Sequence, residues 1–142
     1  MNGNVNCFHS LPATNWVMDI NIEPEADSAE HARQMADASG ALQVHSHMNG
    51  EFGRRDGTVE LVAGGYFDKN FWGRQVAYPA YVDALVANHY QGYMNWEFCH
   101  PGLENGKPVG IEYVHRQTEM AREYLASLRA AAEEKVQLAT VR

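Results

Sequence analysis

The chain alternates between short apolar runs and longer stretches of helical periodicity. Residues 4–8, Asn-Val-Asn-Cys-Phe, are a short run bounded by polar residues and predict a strand. Residues 27–39 predict a helix: Asp27 and Glu30 have the spacing of a capping box, and Gly40 stops the run. Residues 41–48, Ala-Leu-Gln-Val-His-Ser-His-Met, predict a second strand. Residues 78–89 predict a helix with Pro79 in its first turn, where the missing N–H costs nothing. Residues 92–99 predict a third strand, and 101–110 a loop. From 111 to about 135 the sequence predicts a long amphipathic helix, with Val114, Thr118, Ala121, Leu125 and Leu128 recurring at three- and four-residue steps.

Strands alternating with helices imply a parallel sheet with right-handed crossovers. The chain is therefore expected to be a single α/β unit over residues 1–142. In such sheets the chemistry gathers at the carboxyl ends of the strands. The first predicted strand ends in Cys7-Phe8-His9, the second in His45-Ser46-His47 and the third in Glu97-Phe98-Cys99-His100. His45 and His47 are two residues apart, so an extended backbone puts them on one face. Glu97 stands between Trp96 and Phe98, where a carboxylate is costly unless paired or bound to a cation. His31, His89 and His115 fall in helical stretches and read as surface residues.

Residues 49–77 are long, Gly-rich and aromatic, and loops of that length are usually functional or disordered. Tyr66, Phe67, Phe71 and Trp72 favour an ordered lid or interface over disorder. Arg54 and Arg55 follow His47 closely enough to reach an anionic or hydroxyl-rich ligand.

Composition narrows the classes. The net charge is −7, from 11 basic and 18 acidic residues, which argues against a nucleic-acid partner. No run of about 18 apolar residues predicts a membrane span. The first residues carry no basic segment followed by an apolar one, so the cytoplasm is the expected location. The two cysteines, Cys7 and Cys99, are expected to be free thiols.

The runs "VHSHMNGEF", "YPAYVDALVANHYQGYMNWEFCHP" and "GIEYVHRQTEMAREYL" resemble the C-terminal half of the sugar phosphate isomerase/epimerase family, whose members are xylose isomerase-like TIM barrels. The resemblance implies a partial (β/α) TIM-type barrel of about three C-terminal βα units. It also implies one divalent ion, Mn, Mg, Co or Zn, assisting proton transfer through an ene-diolate on a ketose or related polyol. By residue, it implies that His47 and Glu97 are metal ligands. Asn6 stands where the family carries an Asp ligand, a departure from the pattern. Glu97 is implied as the catalytic base, and His9 as a catalytic and substrate-binding residue. Arg54 or Arg55 is implied as a further substrate ligand. A full barrel runs to about 250 residues, so the strand bearing the first ligand Glu is missing from these 142 residues. The chain is then a fragment or a half-barrel completed by homo-oligomerisation. It is expected to be weak or inactive unless a partner supplies that carboxylate.

A reading of another class is a non-catalytic zinc-binding or assembly domain, with Cys7, His9, His47 and Cys99 as a closed N/S site.

Overall fold

The computed structural model describes residues 5–9, 16–21, 28–39, 43–48, 50–62, 71–96, 103–104 and 107–141. In chain order the elements are β1 (Val5–His9), β2 (Trp16–Asn21), α1 (Ser28–Ser39), β3 (Gln43–Met48), β4 (Glu51–Arg55) and β5 (Thr58–Val62). There follow α2 (Phe71–Ala87), β6 (Tyr93–Trp96), β7 (Leu103–Glu104), β8 (Lys107–Pro108) and α3 (Ile111–Thr140). Four strands form one sheet in the order β1-β2-β3-β6. β2, β3 and β6 are parallel neighbours, and β1 runs antiparallel to β2. β4 with β5, and β7 with β8, form two further antiparallel pairs.

The expected parallel-sheet partial TIM-type barrel is therefore corrected. The antiparallel β1 and the two antiparallel pairs overturn it. The reason is chain length between strands. A parallel return needs a crossover of a dozen or more residues, usually through a helix. Only residues 10–15 separate β1 from β2, so the chain comes back antiparallel.

The anticipated lid over 49–77 is also replaced in part. Residues 51–62 form a β-hairpin, and the helix expected at 78 already begins at Phe71. Pro79 consequently lies inside α2 rather than in its first turn, and removes one intrahelical hydrogen bond there. Tyr66 and Phe67 lie outside the described residues. The hairpin turns at Asp56-Gly57, with φ of 49° and 84°, the sign pattern of a two-residue I′ turn. Its right-handed twist matches that of the flanking strands.

The core lies where the helices meet the hairpin and one face of the sheet. α1 contributes Ala32 and Ala36; α2 contributes Tyr78, Tyr81, Val82 and Leu85; α3 contributes Ala121, Tyr124, Leu125 and Ala132. Met48, Phe52, Val59 and Leu61 close it from the strands, with Met94 and Trp96 packed alongside. α2 is apolar on most sides because α1 and α3 both pack against it. Asn88 donates to Asp37 at 2.8 Å, tying α2 to α1, and Lys135 to Asp83 at 2.7 Å, tying α3 to α2. α2 ends in a Schellman motif: Tyr90 N–H donates to Leu85 O and His89 N–H to Val86 O, with His89 at φ 57°. His89 and His115 are exposed, as their helical settings suggested.

Candidate functional site

The strand register decides which residues can meet. Asn6 pairs with Asp19, Asp19 with His45, and His45 with Tyr93, so four polar residues form one row across the sheet. Two residues on, toward the carboxyl ends of the parallel strands, Asn21, His47 and Asn95 form a second row. The rows between and beyond them are largely apolar: Val5, Ile20, Ser46 and Met94, then Met48 and Trp96. Because strands alternate faces, both polar rows belong to one face and the apolar rows to the other.

Burial agrees with this division on the strands where it is described. Met48 is fully buried, Met94 and Trp96 pack against the core, and Tyr93 is 75% exposed. On β3 and β6 the core therefore lies on the face of Met48, Met94 and Trp96. Adjacent strands stand about 4.8 Å apart and i, i+2 positions about 6.7 Å apart. The backbones of Asp19, Asn21, His45 and His47 therefore frame a rectangle of about 5 by 7 Å. That frame, with carboxylate, imidazole and amide donors, suits one divalent cation with mixed N/O ligands.

Sequence reasoning assigned His47 as a ligand, left His45 open as a hydrogen-bonded core residue, and did not consider Asp19 and Asn21. The signal was present: in Met18-Asp19-Ile20-Asn21 apolar and polar residues alternate, the mark of a half-buried strand.

The structure does not bring His9 to this face's carboxyl end. His9 pairs with Trp16 at the start of β2, whereas His47 pairs with Asn21 at its end. Five residues of strand, about 16 Å, separate the two levels. The expected convergence of all strand ends fails because β1 is antiparallel. The closed Cys7, His9, His47, Cys99 zinc set fails with it, since zinc ligands must lie within a few ångströms of one another. Asn6 sits in the row below His47, beside Asp19. Glu97, Cys99 and His100 lie outside the described residues. Among the residues whose side chains are described, no three His, Cys, Asp or Glu gather round a possible metal position. Asp19, His45 and His47 are not among those side chains.

Arg54 and Arg55 lie on the hairpin. Arg54 donates through both Nη atoms to Glu123, at 2.9 and 2.6 Å, and also to Gly57 O at 2.8 Å. The hydrogen bond from Arg54 is the main reason the Glu123 carboxyl sits below its usual range. Arg55 is exposed and faces Glu60 at 3.7 Å. The hairpin carrying them is fixed to α3 and β6. Gln117 bonds both backbone groups of Phe52, Tyr113 Oη donates to Glu51 Oε2 at 3.1 Å, and Trp96 Nε1 donates to Gly50 O at 3.0 Å.

Among the described residues no helix is long and apolar enough to cross a membrane. No protein-family model, curated protein or solved structure matches the chain.

Proposed function

We propose that the polar face of the four-stranded sheet is a divalent-metal site serving a sugar (phosphate) isomerase- or epimerase-like proton transfer. The observation that carries this reading is the register that sets Asp19 beside His45 and Asn21 beside His47 on one face. A bound divalent ion would stabilise negative charge developing on substrate oxygens. Asp19, His45 and His47 supply donors of the right chemistry for it, and Asn21 and Asn95 supply amide groups to orient substrate hydroxyls. Glu97 follows Trp96 directly, two residues beyond Asn95 in the row of His47. It is the carboxylate this reading assigns to removing and returning the proton. The substrate class is a small polyhydroxy carbonyl compound, whose vicinal oxygens match a short row of hydrogen-bonding groups. His9 has no role in this site.

Calorimetric titration with Mn²⁺ tests the metal, and NMR of ketoses in D₂O tests the exchange of the carbon-bound proton. His47→Ala should weaken Mn²⁺ binding at least tenfold, as loss of a direct ligand does, and His9→Ala should leave it unchanged. Equal Mn²⁺ affinity in wild type and His47→Ala would overturn the assignment. Glu97→Gln should lose proton exchange and, as the residue is also implied as a ligand, weaken Mn²⁺ binding.

A further inference from the structure

A groove of about 660 Å³ runs between the outer edge of β6 and α3. One wall is the unbroken run Gly92–Trp96, so the edge of the strand, not a single face, borders it. The other wall is one stripe of α3, including Arg122, Leu125, Ala126 and Arg129. Its size falls within the range of small-molecule sites, about 300–1,000 Å³.

The charge in the groove opposes that of the protein. The chain carries −7 overall, yet among the described residues the groove is lined by two arginines and no acidic residue. Arg122 and Arg129 are seven residues apart, two helical turns or about 10.5 Å along the axis, and so share a face. Each is held by one nitrogen: Arg122 Nη2 faces Glu119 at 3.3 Å and Arg129 Nε donates to Glu133 at 2.8 Å. Neither glutamate lines the groove. The remaining guanidinium donors, both terminal nitrogens of Arg129 among them, are left for a ligand. Exposed pairs of this kind contribute little and exchange readily. Between the arginines Leu125 and Ala126 give an apolar wall, and Tyr93 and Trp96 offer aromatic surface opposite.

We infer that this groove binds a small organic phosphate. Two guanidinium groups match the charge of a phosphate monoester, about −1.5 to −2 at neutral pH, and their forks match its oxygens. The apolar and aromatic walls take the organic body, for which a bare phosphate ion is far too small. The groove borders the outer edge of β6 and shares Asn95 with the proposed substrate site, but its two arginines play no part in the metal reading.

The test is calorimetric titration of the full chain, without added metal, with glucose 6-phosphate, adenosine monophosphate and inorganic phosphate. At least one ester should bind more tightly than inorganic phosphate. Arg122→Ala and Arg129→Ala should each weaken it about tenfold, the loss expected for one charge-assisted contact. Ala126→Trp should block the groove and abolish binding. Arg116→Ala, on the same helix but over the Tyr113 ring and outside the groove, should change nothing. These positions are exposed, and circular dichroism should show each variant folded like the wild type. Esters binding no better than inorganic phosphate would overturn the inference. So would an affinity untouched by either groove variant, or reduced as much by Arg116→Ala.

Discussion

Gln117, on α3, bonds both backbone groups of Phe52: its Oε1 accepts from Phe52 N–H at 2.8 Å and its Nε2 donates to Phe52 O at 3.0 Å. The pair is buried, so the side-chain amide completes the outer edge of β4 as another strand would. The hairpin is docked on the helix by this clasp, with the Phe52 ring 5.2 Å from Tyr124 and 6.3 Å from Trp96.

Gln117→Leu keeps the volume and removes the clasp. It leaves one buried donor and one buried acceptor unpaired, each costing about 1–3 kcal/mol. Chemical denaturation should show a loss of about 2–6 kcal/mol. A midpoint equal to that of the wild type would mean that water replaces the amide.

The Arg54–Glu123 pair predicts a small acid-sensitive contribution. The hydrogen bond from Arg54 lowers the carboxyl pKa in the folded state. Its stabilisation is therefore present above the unfolded-state pKa and fades as pH falls through the lower folded value. Both side chains are about half exposed, so added salt should weaken the effect. Glu123→Gln should flatten that part of the acid limb in denaturation midpoints measured between pH 7 and 3.

Tyr124 predicts the alkaline limb. Burial, and secondarily Tyr78, push its hydroxyl well above the usual tyrosine value. The neutral form is favoured in the fold, so its contribution holds below the unfolded value, about 10, and is lost as pH rises beyond it. Ultraviolet titration should show a late tyrosine step that coincides with unfolding. Tyr124→Phe should reduce the amplitude of that step and leave the earlier ones, the remainder coming from the buried Tyr78 and Tyr81 exposed on unfolding.

The metal reading predicts a linked change in stability. A ligand that binds only the folded state raises the unfolding midpoint with its concentration. Mn²⁺ should raise the wild-type melting temperature, a chelator should reverse the shift, and Asp19→Asn should diminish it. His9→Ala should respond like the wild type, since His9 pairs at the opposite end of β2. A shift shared equally by Asp19→Asn and the wild type would count against the site.

Much of the local structure was legible in the residues. The helix read over 27–39 is α1, Ser28–Ser39. The helix from 111 persists to Thr140, beyond its apolar stripe, since its last turns are exposed and need only helix-forming residues. The strands read at 4–8, 41–48 and 92–99 correspond to β1, β3 and β6, with β1 reaching His9 and β6 starting at Tyr93. The hairpin was legible too, as Asp56-Gly57 between Arg54-Arg55 and Thr58-Val59. The glycines spread over residues 49–77 instead suggested a single long loop.

What the sequence determined, then, is which segments are helix or strand and which residues alternate between faces, because those follow from backbone geometry within a few residues. His45 and His47 share a face in any strand. The tertiary structure alone decided direction and register. β2 turned β1 antiparallel and carried His9 to the far end, and pairing with β3 set Asp19 and Asn21 beside the two histidines. Those outcomes depend on hydrogen bonds between segments distant in the chain, and a one-residue slip would put every side chain of a strand on the opposite face. No local pattern of apolar and polar residues contains that choice.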